Sequence, residues 1–223
     1  YRGFTIGAAG ATLEAAEGAN WGLNYDAAAP LVSALGGTLT LTGSGTGALR
    51  KAMLGTGGLV KNGKGVWTVS GTNTYNGSTA ISNGTLLVNG VLPAGTVTLA
   101  TNATLGGFGV VRGPVLQDGT IAPGAGIGTL TISNQVTDGV TAVYRMELGG
   151  TNAPTDYDQL VVSDVHTLQG TLEVVVTNGY VPASGDRFVI LTNSGVGGLL
   201  FGTFTTVSAP ALDPGLGWDV QYT

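Results

Sequence analysis

Residues 55–90 read GTGGLVKNGKGVWTVSGTNTYNGSTAISNGTLLVNG, and the fold prediction starts from this stretch. It ends in Gly84-Thr85-Leu86-Leu87-Val88, where a glycine turn leads into a short apolar strand. Glycine accepts a positive φ at a corner, where a side chain would be strained. The same kind of unit recurs at Gly10-Ala11-Thr12-Leu13, Gly37-Thr38-Leu39, Asn102-Ala103-Thr104-Leu105, Gly119-Thr120-Ile121, Gly128-Thr129-Leu130 and Gly170-Thr171-Leu172.

The residues after these corners alternate, as in Leu39-Thr40-Leu41-Thr42, and this period marks a strand with one buried face. The intervals between corners are uneven but cluster near one coil of a β-solenoid. A sandwich or barrel also has many short strands, but it does not require one corner signature to recur. The sequence predicts an all-β, right-handed parallel β-helix with three strands per coil. We expect coils over 1–150 and, continuous with them, closing coils over 151–223.

Composition agrees with an ordered β protein, because 43% of the residues are hydrophobic and only 9% are charged. There is no cysteine, which excludes disulfides and cysteine-based metal or nucleophile sites. The net charge is −5, and no basic cluster could follow a phosphate backbone, so nucleic acid is not an expected partner. We interpret Arg50, Lys51, Lys61 and Lys64 as solvated charges in turns.

The sequence contains no signal-peptide pattern and no apolar run long enough for a membrane-spanning helix. It begins Tyr1-Arg2-Gly3-Phe4 and is β-like from the start. We therefore expect a processed or excised piece of a longer protein.

The stretch from Gly55 to Gly90 resembles the autotransporter-associated β-strand repeat of bacterial passenger domains. The positions that carry the resemblance are Gly58-Leu59, Lys61, Gly63, Gly65, Ser70-Gly71, Asn73-Thr74-Tyr75, Gly77 and Gly84-Thr85-Leu86. One departure is Trp67, where the family usually has leucine, and it keeps the position apolar.

Later segments also resemble the C-terminal part of such passengers. They are Gly119–Gly124 with Ile127–Leu130, Asp156–Val162, Gly185–Phe188, Gly202–Phe204 and the closing strand Gly217–Tyr222. The resemblance implies a bacterial surface or secreted protein, whose C-terminal coils fold first and template the others. It leaves the export route open, because related repeats occur both with and without an outer-membrane barrel.

Candidate catalytic groups are few. His166 is the only histidine, and no nucleophile motif accompanies it, so we assign it a surface or packing role. Polysaccharide lyases and hydrolases also use parallel β-helices, but no constellation of carboxylates stands out here. We expect no enzyme activity.

The densest acidic region contains Asp156 and Asp158, which could lie on one outward strand face and attract a cation. Oxygen ligands suit calcium, yet the fixed alternation of a calcium loop is absent. We expect no cofactor, with Asp156 and Asp158 as weak candidates for calcium.

The favoured function is a stiff stalk that displays an adhesive or other module. One alternative is direct adhesion to host or matrix glycans, with Trp21 and Tyr25 as weak binding candidates. The others are a self-assembling filament subunit and a polysaccharide-degrading enzyme. The expected partners are other segments of the protein's own longer chain and, through end-to-end contact, further copies. The other aromatic residues are expected to cap coils or fill the core.

Overall fold

The computed structural model describes residues 4–23, 32–34, 36–193, 195 and 198–222, and the side chains of residues 4, 21–23 and 32–34 lie outside that description. This part of the chain contains twenty-seven strands and no helix. The strands wind around three faces, so that every third strand returns to the same face.

The first face consists of a four-stranded and a five-stranded sheet, joined by the single parallel bridge between Thr72 and Val91. Its strands are β1 (Phe4–Ile6), β4 (Val32–Ala34), β7 (Met53–Gly55), β10 (Thr74–Tyr75), β13 (Val91–Leu92), β16 (Val110–Val111), β19 (Thr129–Ile132), β22 (Gln159–Val162) and β25 (Leu191–Asn193).

The second and third faces are nine-stranded sheets. The second contains β2 (Ala11–Ala15), β5 (Leu39–Gly43), β8 (Leu59–Lys61), β11 (Thr79–Ile81), β14 (Val97–Leu99), β17 (Val115–Gln117), β20 (Val136–Asp138), β23 (His166–Leu168) and β26 (Leu200–Gly202). The third contains β3 (Asn20–Leu23), β6 (Thr46–Leu49), β9 (Val66–Val69), β12 (Gly84–Val88), β15 (Ala103–Gly107), β18 (Thr120–Pro123), β21 (Val143–Leu148), β24 (Thr171–Val176) and β27 (Thr206–Ser208).

The described strands pair in parallel with the strand three positions earlier or later, which is the connectivity of a solenoid. Coil one contains β1–β3, and the series continues to coil nine, β25–β27. The prediction of a parallel β-helix with three strands per coil is confirmed. Its right-handed sense stays a prediction from the handedness of parallel crossovers. Both nine-stranded sheets run across residue 150.

The core is a set of ladders, in which one inward residue of each coil stacks on the next. On the third face, Trp67, Leu86, Leu105, Ile121, Tyr144 and Leu172 follow one another and are at most 1% exposed. Burying an aliphatic side chain of this size contributes about 1.5–3 kcal/mol. Because this ladder runs from coil three to coil eight, the apolar contribution is distributed along the solenoid rather than concentrated in one coil.

The corner glycines serve two different purposes. The expected positive φ is present at Gly10, Gly84 and Gly170. It is absent at Gly37, Gly119 and Gly128, so the expectation was wrong for those corners. There the reason is space: a Cβ on Gly37 would lie 1.9 Å from the carbonyl oxygen of Gly7 in the adjacent coil.

Candidate functional site

Lys61 lies inside the solenoid, so its interpretation as a solvated turn charge was wrong. Its side chain stacks between Leu41 and Ile81 and is 0% exposed. At the corner the ammonium donates hydrogen bonds to the carbonyl oxygens of Gly63 (2.8 Å), Asn83 (2.9 Å) and Asn62 (3.4 Å). The lysine thus joins the corners of coils three and four.

Burial lowers the pKa of Lys61 from 10.5 to about 8, because the charged form loses its hydration. A lowered pKa means that the folded chain loses stability as pH falls through that value. We therefore expect the free energy of unfolding to rise between pH 8 and pH 10.5 by on the order of 1–3 kcal/mol relative to Lys61→Met. Urea titrations of the original chain and of Lys61→Met across this pH range measure the difference between their free energies of unfolding. Lys64→Met is the control, because Lys64 is exposed. If the difference in free energy of unfolding between the two proteins stayed constant with pH, it would contradict the lowered pKa of Lys61.

Asn73 takes over hydrogen bonding where the first face is interrupted. It is 4% exposed and lies beside the break between the two sheets of that face. Its Oδ1 accepts from the Met53 amide (2.8 Å), and its Nδ2 donates to the carbonyls of Gly71 (2.9 Å) and Val91 (2.8 Å). One side chain therefore connects coils three, four and five.

Tyr75 fills the interior beside Asn73. The residue is 1% exposed, and its hydroxyl lies 2.5 Å from the hydroxyl of Thr79. Burial raises the pKa of Tyr75 to about 12. Asn73 and Tyr75 are therefore packing residues, whereas Thr74 between them is exposed.

Trp67 confirms that the position usually held by leucine is a core position. It is 0% exposed, and its indole Nε1 donates to the carbonyl of Thr42 (2.9 Å). Gly47 pairs with it in the preceding coil, and a Cβ there would lie 2.6 Å from ring atoms of Trp67. The absence of a side chain at Gly47 makes room for the indole.

His166 has a packing role rather than a surface role. It is 0% exposed, and its Nε2 lies 2.7 Å from the hydroxyl of Tyr144, which donates to Asp138 Oδ1 (2.7 Å). Because the tyrosine proton goes to Asp138, His166 Nε2–H is the donor to the tyrosine oxygen. Burial, and then the charge of Asp138, raises the pKa of Tyr144 well above its ordinary value. All three side chains are buried in the core.

Asp156 and Asp158 do not share an outward face, which corrects that expectation. Asp158 is 1% exposed and accepts the amides of Gly128 and Glu147, both at 2.8 Å. Burial raises its pKa to about 7, although these amides oppose the shift. Asp156 instead accepts from Asn152 (2.7 Å) and Thr155 (3.0 Å), which lower its pKa.

Within the described ranges, no group of three or more histidine, cysteine or acidic side chains could hold a metal ion. Calcium at Asp156 and Asp158 therefore stays an untested prediction. Of the two binding candidates, Tyr25 lies outside the described residues. Trp21 is in β3, with its side chain outside the description.

Sequence reasoning missed Lys61, Asp138 and Asp158 as interior groups, because charged residues are usually placed outside. The only signal available was position: Lys61 and Asp138 each stand two residues after an apolar inward residue of a strand, Leu59 and Val136. Period-2 alternation places such a residue on the buried face.

A family model described as the passenger-associated-transport-repeat matches residues 59–88. The matched segment contains β8 to β12 and includes Lys61, Trp67, Asn73 and Tyr75. A search of curated proteins found no match. In the part of the chain that the structure describes, no helix is long and apolar enough to cross a membrane. Residues 59–88 are therefore a repeat of the autotransporter passenger-associated kind, and its signature residues lock successive coils of the β-helix together.

Proposed function

We propose that this chain is a rigid stalk within the passenger of a bacterial cell-surface or secreted protein. The observation that carries the proposal is the continuity of the stack: two parallel sheets run through all nine coils, and one core cluster lies between the faces. The passenger-associated repeat at 59–88 supports the location. The stalk holds another module, such as an adhesive one, away from the cell.

The geometry matches a spacer. Coils spaced about 4.8 Å apart give a solenoid roughly 40 Å long. Each coil contacts only its neighbours, so length changes by adding coils without altering the cross-section. The signature side chains of the repeat point inward and bond between coils, which favours a mechanical role over recognition.

Enzyme activity is the weaker candidate, because the perturbed groups are enclosed. Asp158 and Tyr144 have raised pKa values, but they are 1% and 0% exposed and engaged in hydrogen bonds. A general acid must reach the atom that it protonates. We therefore assign no catalytic role to this chain.

A spacer should lengthen when whole coils are inserted. Val97 pairs with Val115, so residues 97–114 form an 18-residue coil unit, and its inward residues Val97, Leu99 and Leu105 are apolar. We expect each extra copy placed after residue 114 to lengthen the folded rod by about 5 Å. Small-angle X-ray scattering on variants with one, three and five copies measures the increment.

The matched control inserts 97–105 alone, which disrupts the stacking register and should lower the unfolding midpoint. Loss of the fold on insertion of the complete unit would contradict the modular spacer. Specific binding of a glycan array by the original chain would instead favour the adhesin.

A further inference from the structure

Asparagine is followed directly by glycine at five places in the chain, which are Asn62, Asn76, Asn83, Asn89 and Asn178. Such a pair can react with itself, because the glycine amide nitrogen can attack the side-chain carbonyl carbon and close a cyclic imide. Glycine lacks the Cβ that would crowd this attack. In a folded protein, the reaction depends on where the glycine amide is held.

Three of these glycine amides are tied to a carbonyl of a neighbouring coil. The hydrogen bonds run from Gly77 to Gly57 (3.1 Å), from Gly84 to Asn102 (3.3 Å) and from Gly90 to Val69 (3.2 Å). Each bond must break before its nitrogen can attack the preceding side chain. The stacking of coils therefore protects these three pairs.

The Asn62-Gly63 pair is held differently. The Gly63 amide donates to Oδ1 of Asn62 at 2.8 Å, and in the part of the chain that the structure describes it has no second acceptor. Since Oδ1 is bonded to Cγ, the nitrogen lies within about 4 Å of the carbon that it would attack. Asn62 is exposed, so water reaches this corner. The fold thus brings the two reacting atoms together instead of separating them.

Lys61 supplies a positive charge where this reaction needs one. The Gly63 nitrogen must lose its proton to attack, and the resulting negative charge is shared with the Asn62 carbonyl oxygen of the same peptide unit. The Lys61 ammonium donates to that oxygen at 3.4 Å. Within the described ranges the ammonium forms no ion pair, and its neighbours in β5 and β11 are the apolar Leu41 and Ile81. A fixed cation beside a developing negative charge lowers the barrier.

We propose that Asn62 is a site of spontaneous self-modification, assisted by the Lys61 ammonium, in which asparagine becomes aspartate and isoaspartate. The Gly63 nitrogen loses its proton to solvent and bonds to Cγ of Asn62, and Nδ2 takes a proton from water and leaves as ammonia. Water then opens the imide. Cleavage between the nitrogen and Cγ gives aspartate, whereas cleavage between the nitrogen and the former backbone carbonyl carbon gives isoaspartate.

Isoaspartate alters the corner that Lys61 holds. The former backbone carbonyl of Asn62 becomes a free carboxylate, at the place where the ammonium now bonds the carbonyl oxygen at 3.4 Å. The main chain also gains a carbon between residues 62 and 63. The corner has little room for it, since even a Cβ on Gly63 would lie 2.7 Å from backbone atoms of Gly43 in coil two. The modification therefore changes both the charge of this corner and its packing against coil two.

The test follows the asparagines in one sample of the folded chain at neutral pH. Peptic digestion at low pH and mass spectrometry measure the fraction converted at each position, and fragmentation separates isoaspartate from aspartate. We expect Asn62 to convert at least about tenfold faster than Asn76, Asn83 and Asn89, because only those three must first break a bond between coils. In guanidinium chloride the four rates should converge, which is the matched control. A rate at Asn62 no higher than those of the other three in the folded chain would overturn the proposal.

The assistance by Lys61 is measured against Asn178, which is exposed and whose carbonyl accepts no bond from a lysine or arginine in the described chain. Both reactions depend on hydroxide in the same way, so the ratio of the Asn62 rate to the Asn178 rate isolates the effect of the ammonium. This ratio should fall about fivefold or more as pH rises through about 8, the value to which burial lowers the pKa of Lys61.

Lys61→Met should show the lower ratio on both sides of that pH, whereas Lys64→Met should behave like the original chain. Circular dichroism checks that the variants are folded. The pH series on the original chain needs no variant, so a ratio that does not change with pH would overturn the assigned role of Lys61 even if Lys61→Met fails to fold.

Discussion

Asn73→Ala is expected to lower the free energy of unfolding by about 2–4 kcal/mol, because it leaves buried backbone groups unsatisfied. The Met53 amide loses its acceptor and the Gly71 carbonyl loses its donor. The Val91 carbonyl keeps the bond from the Asn73 amide and is affected less. Since these groups lie where the first face has no continuous ladder, neighbouring strands offer little compensation.

Urea denaturation followed by circular dichroism measures the loss for Asn73→Ala. Amide hydrogen exchange adds a local readout, because the Met53 amide should exchange faster than the amides of the second face. Asn76→Ala is the matched control, since Asn76 belongs to the same repeat and is exposed. Equal effects at Asn73 and Asn76 would show that the side-chain bridge contributes nothing.

Gly47→Ala is expected to destabilise the fold by about 1–3 kcal/mol, as overpacking of a dense core does. The added methyl group would lie 2.6 Å from the Trp67 ring, so the indole or strand β6 must move. Backbone strain plays no part, because the φ of Gly47 is not in the positive range. The cost therefore depends on what occupies position 67.

A double-mutant cycle with Trp67→Leu separates these contributions. Trp67→Leu alone destabilises, because it removes buried ring contacts and the bond to the Thr42 carbonyl. In that background, Gly47→Ala should cost at least about 1 kcal/mol less than in the original chain. Unfolding midpoints of the four proteins give the coupling energy. A coupling energy of zero would mean that the glycine is needed for another reason.

These two predictions both concern contacts between successive coils. Asn73 and Lys61 bond backbone groups of different coils, and Gly47 complements an indole in the next coil. Each of these features requires a stacked neighbour. The stability of each coil therefore depends on the coils beside it.

The architecture could be predicted from the sequence because it depends on local pattern. Gly84-Thr85-Leu86 and its relatives mark corners, and alternation such as Leu39-Thr40-Leu41 marks the buried face. Both patterns extend over only a few residues, so they can be recognised without knowing which coils are neighbours. Trp67 was expected to cap a coil or fill the core, and the structure places it in the core.

The candidate site was predicted less well, because burial of a polar group depends on its partners. Lys61 looked like a turn charge until the carbonyls of Gly63 and Asn83 were seen to surround its ammonium. Asp158 looked like a surface carboxylate until the amides of Gly128 and Glu147 were seen to enclose it. These partners are up to 30 residues away in the chain.

The all-β solenoid with inward apolar residues could be read from the amino-acid sequence, because alternation and glycine corners are local properties. The folded structure was needed to show why Gly37 must lack a side chain and that Asp138, Tyr144 and His166 share the interior. Stacking places each coil against groups that lie a full coil or more away along the chain, as the Met53 amide shows by donating to Asn73 Oδ1. The space available to a side chain and the hydration that it loses both depend on those distant groups.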